Sequence, residues 1–358
     1  MKFIKLFLGG DVMIGRGIDQ IFKYKSDPKL YESFITDARH YVTSKMKKYT
    51  SQNNWLPYQY IWGSLIKEPL FLTANLRIIN LETSITTSIN PENKEVLYKM
   101  NPRNIETLTV AHIDYCHMAN NHILDWGQEG LLETIETLER NHINYGGIGF
   151  NFQEARRPFI TYINEFRVII FSVGDVSSGI PLEWKAKSFE PGVNLIDITQ
   201  SSQVERLIEY IRSQSNEKDF IIVSIHWGSN WGWEIDYLQE KFAHSMIDKA
   251  RVDLIHGHSS HHFKPMEIYK KKLILYGCGD LINDYEDIKD PSKYKYLPEI
   301  SLAYFPTYNN NKDLVNLIVV PYTIENMQLI KPSNKKIYEV YALLDKICKK
   351  YNLSFTIM

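Results

Sequence analysis

The chain lacks the cysteine content that a disulfide framework or a thiolate metal site requires. Its 358 residues hold three cysteines, Cys116, Cys278 and Cys348, far apart and without knuckle spacing. A reducing compartment is the simpler home for such a chain, so a cytoplasmic protein is expected. Long hydrophobic runs are also missing. The opening stretch Phe3 to Leu8 breaks at Gly9-Gly10-Asp11, too short for a signal core or a bilayer crossing, and no membrane span is expected. Charge of one sign is missing too: 41 Lys and Arg stand against 42 Asp and Glu, net −1 with neutral histidines. No basic stripe is implied, and no nucleic-acid partner is expected. There is no Pro/Gly/Ser-rich linker, internal repeat or low-complexity tract, so a single domain over 1–358 is expected. The 44% hydrophobic and 23% charged content is enough to bury a sizeable core.

What the chain does have is histidine after strands. Six of its eleven histidines lie between His226 and His262, and five of those six follow the apolar runs Phe220-Ile221-Ile222-Val223 and Val252-Asp253-Leu254-Ile255. Runs of this kind read as buried strands. Ligands of open α/β sheets bind outside the carboxyl ends of the strands, and imidazole is the commonest metal ligand. Any one of these histidines could equally be a hydrogen-bonded core residue. Their common position after strands points to a metal site.

Other polar groups share that rim. Ile4, Leu6 and Leu8 alternate with Phe3 and Phe7 in a run apolar on both faces, as in a central strand, and Asp11 follows it. The short strand Leu76 to Asn80 leads to Glu82. Ile113 to Met118 leads to Asn120-Asn121-His122, and a helix follows with Leu131, Leu132, Ile135 and Leu138 on one face. Tandem asparagines commonly form turns; here their place on the rim makes them candidates. In Gly15-Arg16-Gly17 the guanidinium could meet a bound anion or serve as an ion pair.

The remainder organises around these elements. Residues 22–62 are polar and aromatic, helical around Ser33 to Lys48, and read as a surface insertion or lid. Gly146-Gly147-Ile148-Gly149 lacks the spacing of a nucleotide loop and reads as a turn. Arg167 to Val173 is a strand ending near Asp175, a weaker rim candidate. Helices are expected around Val204 to Ile211 and over Tyr237 to Lys249. Trp227, Trp231 and Trp233 stand among glycines and read as a pocket wall. A hairpin over Met266 to Gly277 turns at Lys270-Lys271-Lys272 and leads to Gly279-Asp280, with Asn283 and Asp284 beyond. Two β segments, Leu314 to Tyr322 and Thr323 to Ile330, precede a helix and tail over 331–358.

The collected rim residues are Asp11, Glu82, Asn121, His122, His226, His258 and His261. Carboxylate, amide and imidazole donors suit one or two divalent ions such as Mn, Fe or Zn. Such a centre can lower the pKa of water and polarise a phosphoryl oxygen, and a neighbouring histidine outside the ligand set can protonate a leaving group.

Five segments taken in order resemble one family: Gly10-Asp11-Val12-Met13 with Gly15-Arg16, Asn80-Leu81-Glu82-Thr83, Ala119-Asn120-Asn121-His122 with Asp125 and Gly127, His226-Trp227-Gly228, and Gly257-His258 with His261. Over residues 3 to 285 the chain looks like the CapA family of capsule and poly-γ-glutamate biosynthesis proteins, which have a calcineurin-like metallophosphatase fold. That resemblance implies an α/β four-layer sandwich, two mixed β-sheets flanked by helices. It implies Asp11, Glu82, Asn121, His226, His258 and His261 as metal ligands or near-ligands, His122 as the proton donor to the leaving group, and Arg16 as an anion contact. The chain departs from the wider pattern at Met13 and Ser259, where histidine is common, and at Glu82, where aspartate is usual. The expected function is a metal-dependent hydrolase acting on a phosphoester by attack of metal-bound hydroxide. The alternatives are a non-hydrolytic accessory protein in the synthesis of poly-γ-glutamate or another γ-linked acidic peptide, or a γ-glutamyl amide hydrolase. The expected partners are an anionic small molecule or γ-glutamyl peptide and a biosynthetic protein.

Overall fold

Side chains alternate between the two faces of a strand, and both faces here are buried. In the computed structural model, which describes residues 3–46, 54–285, 291–351, 353 and 356–357, Leu6 and Leu8 of the Ile4–Val12 strand enter one core and Phe7 another. Among the described residues this strand lies inside a nine-stranded mixed sheet, between parallel Leu76–Leu81 and antiparallel Ile300–Tyr308. Parallel strands Tyr115–His117 and Asn144–Gly146 extend it on one side. On the other, a meander continues through Leu314–Glu325 to Gln328–Ile330. The second sheet has seven strands among the described residues, centred on parallel Phe166–Asp175, Phe220–His226 and Leu254–His258.

Three apolar clusters glue these layers. Between the sheets, Leu6, Leu8 and Ile78 meet Ile170, Phe220, Ile222 and Leu254. Outside the first sheet, Phe7 and Ile79 share a cluster with Leu131, Ile135 and Leu138 of the Gly127–Arg140 helix. Outside the second, Ile221 and Val223 share one with Leu207 and Ile211 of the Ser201–Gln214 helix and with Phe242 and Met246 of Tyr237–Ala250. Each buried aliphatic or aromatic side chain contributes about 1.5–3 kcal/mol. The result is helix, sheet, sheet, helix: two mixed sheets flanked by helices, as expected. The Tyr237–Ala250 helix starts at a capping box between Asp236 and Gln239 and ends at Arg251, which takes a left-handed conformation.

Several local expectations change. Leu314–Glu325 is one continuous strand, because it pairs along Ile300–Tyr308, and the chain reverses at Asn326 and Met327, both with positive φ. Trp227 belongs to the core: its ring stacks on Tyr276, meets Phe242 edge-on, and its Nε1 donates to the Tyr276 carbonyl at 2.9 Å. Asn144–Gly146 and Ile148–Gly149 are short strands on either side of Gly147, whose φ is 92°. In the 22–62 segment, Phe22, Tyr41, Val42, Leu56, Ile61 and Trp62 are buried in the outer cluster of the first sheet. The described α-helix there is His40–Met46, with a short 3-10 turn at Tyr60–Trp62, and residues 47–53 lie outside the described residues. In the tail, the Asn334–Cys348 helix is capped by Ser333 and packs Val340, Leu344 and Cys348 into the inter-sheet core; residues 352, 354, 355 and 358 lie outside the described residues.

Candidate metal centre

The faces that meet between the sheets are apolar at one end and polar at the other. Along Phe220–His226 the inner positions are Phe220, Ile222, Ser224 and His226; along Leu254–His258 they are Leu254, His256 and His258. Register sets Ile222 beside Leu254, Ser224 beside His256 and His226 beside His258. In the facing sheet Leu76, Ile78 and Asn80 alternate onto the inner face, and Asn80 stands beside His117.

Asp11 joins this layer through a bulge. Leu8 pairs with Ile78 and Asp11 with Asn80, so three steps on one strand span two on its neighbour. Without the extra residue, alternation would send Asp11 to the opposite face. Gly10 makes the arrangement possible, because a Cβ there would lie 1.7 Å from the carbonyl oxygen of Gly279. That carbonyl accepts the Asp11 N–H at 3.0 Å.

Asp11, His226 and His258 each place one potential ligand atom within 4.8 Å of the others, all three residues buried. The Nδ1 atoms of His226 and His258 are 3.0 Å apart. Asp11 Oδ1 accepts from Asn80 Nδ2 at 2.8 Å and Oδ2 from the Ser259 N–H at 3.2 Å. Glu82 Oε1 lies 3.9 Å from His226 Nε2 and 3.7 Å from His122 Nε2, while its Oε2 is buried without a hydrogen-bond partner. Asn121 Oδ1 is 3.3 Å from His226 Nε2.

Burial, with the Asp280 charge beside it, pushes the Asp11 carboxyl up to about 7. Burial and the neighbouring Asp11 and Asp280 push Glu82 well above the usual carboxylate range. Burial holds His226 and His258 well below the ordinary histidine value. The cluster thus combines carboxylates that resist ionisation with imidazoles that resist protonation. A divalent cation relieves both, and the orphaned Glu82 oxygen is the kind of atom such an ion satisfies. The donor set fits the ion.

Two histidines at the edge are each held by an aspartate. His122 Nδ1 is 2.7 Å from Asp125 Oδ2, which also accepts the Tyr98 N–H at 2.7 Å, and Lys94 Nζ is 2.6 Å from Asp125 Oδ1. Burial lowers His122 to about 4, outweighing the opposing Asp125 charge. His261 Nδ1 is 3.0 Å from Asp280 Oδ1, and Asn283 Nδ2 donates to Asp280 Oδ2 at 2.8 Å. Burial alone would lower His261, but the Asp280 charge and hydrogen bond outweigh it, and its pKa is raised. His261 is not in the group of three whose ligand atoms lie within 4.8 Å of one another; its Nδ1 is held by Asp280, an arrangement that also orients ligating imidazoles. A cleft of about 450 Å³ opens beside these two residues, with Trp231, Tyr285 and Lys293 on its walls.

Arg16 lines the same cleft, but its guanidinium is committed to the protein's own carboxylates. Its side chain is 1% exposed and bonds to Asp284 at 2.5 Å and Glu32 at 2.7 Å, with the Tyr41 ring at 4.4 Å. Its charge is consumed by the protein. Asp175 caps a turn, its carboxylate accepting the Ser177 and Ile198 N–H groups.

Sequence reasoning left Asn80, His117, Asp125 and Asp280 without roles at the site. Asp280 carried a readable signal, since Gly279-Asp280 repeats Gly10-Asp11 and the two aspartates pair in register on neighbouring strands. Asn80 and His117 had no such mark; strand register sets Asn80 beside Asp11, and the facing of the sheets brings Asn80 and His117 against His226 and His258.

Residues 5–285 match the family model described as "Bacterial capsule synthesis protein PGA_cap". The chain is 36% identical to the "Probable polyglutamine synthesis accessory protein" of Mycobacterium tuberculosis, across 98% of this chain and 92% of that protein. It is 27% identical to the "PGA biosynthesis protein CapA" of Bacillus subtilis, across 73% of this chain and 65% of that one. A solved structure of a novel phosphatase from Mycoplasma pneumoniae superposes with a TM-score of 0.49 and 16% identity, covering 93% of this chain and 96% of that one.

Proposed function

The chain belongs to the bacterial capsule synthesis protein family PGA_cap, the family of CapA, and from that premise we propose that it is a divalent-cation-dependent hydrolase of an anionic ester, a phosphoester first. The observation that carries this reading is the buried group Asp11, Glu82, His226 and His258, whose carboxylate and imidazole donors converge and suit a divalent cation. Asp11, His226 and His258 would hold a Mn, Fe or Zn ion, with Glu82 and Asn121 alongside. A bound divalent ion supplies Lewis acidity, lowering the pKa of water and polarising a phosphoryl oxygen.

The protein's own groups handle the proton. The Asp125 carboxylate accepts from His122 Nδ1–H, which turns Nε2 toward Glu82 and the centre. Neutral at pH 7, His122 takes a proton at Nε2 from the attacking water and passes it to the departing oxygen. Asn80 donates to Asp11 and fixes the direction of that carboxylate. We read the chain as one domain acting in the cytoplasm, with the 22–62 segment as a cover beside the site.

The test is hydrolysis of generic phosphoesters with added Mn by wild type, Asp11→Asn and His226→Ala. Turnover in wild type that both variants lose supports the reading; equal rates in all three overturn it.

The enclosure of Arg16 favours a second reading. Arg16 is committed to Asp284 and Glu32 rather than free to grip a phosphoryl group, and relatives are named for polyglutamine and PGA synthesis. In that reading the same centre acts on, or only binds, a γ-linked acidic peptide, beside a biosynthetic protein partner. Amine release from a γ-glutamyl peptide marks hydrolysis of that amide. Co-purification with an amide ligase, without turnover of either substrate class, marks the accessory role.

A further inference from the structure

A chain of hydrogen bonds that starts at a backbone carbonyl determines which nitrogen His258 turns to the centre. Gly9 lies inside the bulge between the Leu8–Ile78 and Asp11–Asn80 pairs, and its carbonyl oxygen meets His256 Nε2 at 2.9 Å across the gap between the sheets. A carbonyl oxygen only accepts, so Nε2 of His256 carries the proton and, in the neutral ring, Nδ1 offers a lone pair. Ser224 Oγ is 3.1 Å from that Nδ1, and its hydroxyl must donate there. With its proton committed, the same oxygen accepts from His258 Nε2, also at 3.1 Å. His258 is then the Nε2–H tautomer, and its Nδ1 is the bare nitrogen that faces His226 and Asp11.

The His226 side matches. Asn80 is oriented by donating Nδ2 to Asp11 and accepting at Oδ1 from Asn120 at 3.0 Å. Its Nδ2 faces His226 Nδ1 at 3.3 Å, while the Asn121 carbonyl oxygen faces Nε2 at 3.3 Å. A donor beside Nδ1 and an acceptor beside Nε2 again leave Nδ1 bare. Two bare nitrogens 3.0 Å apart in a buried space repel each other unless something positive lies against them. Running the relay in reverse would set a His256 lone pair against the Gly9 oxygen, two buried acceptors with no hydrogen between them.

We propose that Ser224 and His256 are positioning residues, anchored on the Gly9 carbonyl, that hold His258 as the Nε2–H tautomer and so make Nδ1 its ligand atom for a divalent cation. The inference rests on the metal reading of the same cluster. It also assigns the bulge a second role, since the residue that turns Asp11 inward brings with it the carbonyl that starts the relay. Partners behind a ligating histidine are worth about 10–100-fold in metal affinity.

Long-range ¹H–¹⁵N correlation spectra of metal-free, histidine-labelled protein report the tautomer directly. The expected result is His256 and His258 both protonated at Nε2 in wild type, with His258 losing that preference in Ser224→Ala. An Nδ1–H tautomer of His258 in wild type, or an unchanged preference in Ser224→Ala, overturns the proposal. Calorimetric titration with Mn²⁺ is the second arm: Ser224→Ala should bind about 10–100-fold more weakly, and Ser224→Thr, which keeps the hydroxyl, should stay near wild type. Equal affinity in Ser224→Ala and Ser224→Thr overturns it as well. A wild type that takes up no metal while showing the expected tautomers overturns the ligand assignment together with the hydrolase reading, whereas a wild type that binds Mn²⁺ with His258 protonated at Nδ1 overturns the proposal alone, so the two failures are distinguishable.

Discussion

Two buried charged groups lie at this end of the sandwich, and they differ in whether the protein supplies the cation. Around Arg16, every oxygen of Glu32 and Asp284 has a donor: the guanidinium donates to one Glu32 oxygen and to both Asp284 oxygens, Tyr41 OH donates to the second Glu32 oxygen at 2.6 Å and the Gly17 N–H to Asp284 Oδ2 at 2.8 Å. Around Asp11, one Glu82 oxygen has no partner, both carboxyls are pushed up, and the nearest rings are neutral. The first group is closed and structural. The second is open, and its deficit has the sign and donor chemistry of a divalent ion.

The comparison breaks most visibly at Arg16. Arg16→Met leaves two carboxylates buried without their partner and should cost about 3–5 kcal/mol in urea denaturation of the metal-free protein; a small loss would mean the group is not closed. At the open site, Asp125→Asn should cut metal-dependent hydrolysis by about 10²–10⁴-fold, because His122 loses its orientation, while Mn affinity stays near wild type. A parallel loss of metal binding would place Asp125 among the ligand supports instead.

Asp11→Asn should act on stability in the opposite direction from Arg16→Met. The folded Asp11 carboxyl, at about 7, holds a proton that the unfolded chain gives up near 3.8. Its contribution therefore destabilises as pH rises through that window and is fully present above about 7. Metal-free Asp11→Asn should then be more stable than wild type at pH 8, by up to about 4 kcal/mol less what the new amide loses in hydrogen bonds from Asn80 and Ser259, with the gap closing toward pH 4; thermal melts across that range check it. The same proton must leave when metal binds. Mn affinity should fall below about pH 7, by up to about tenfold per pH unit for each proton displaced, as calorimetry in buffers of different ionisation enthalpy reports. The smallest effect is expected back in the closed group, where Tyr41→Phe removes one donor from Glu32 and should cost about 1 kcal/mol in the same urea series.

Part of this contrast could be read in one dimension and part could not. Apolar runs ending in Asp11, His226 and His258 announced a rim, because strand ends with polar tips follow from local pattern alone. Arg16 misled: flanking glycines look the same whether the guanidinium meets a substrate or Asp284, which stands 268 residues away. His261 likewise carries nothing local to show that Asp280 holds its Nδ1.

The amino-acid order by itself determined the strands, the helices and the set of residues able to bind a metal, since alternation, helical period and donor chemistry are properties of neighbouring residues. Only the folded arrangement decided which donors share a space, because a one-residue bulge turns Asp11 inward and two facing sheets bring Asn80 and His117 against His226 and His258. Whether a buried charge is satisfied depends on every group around it, and those groups come from distant parts of the chain.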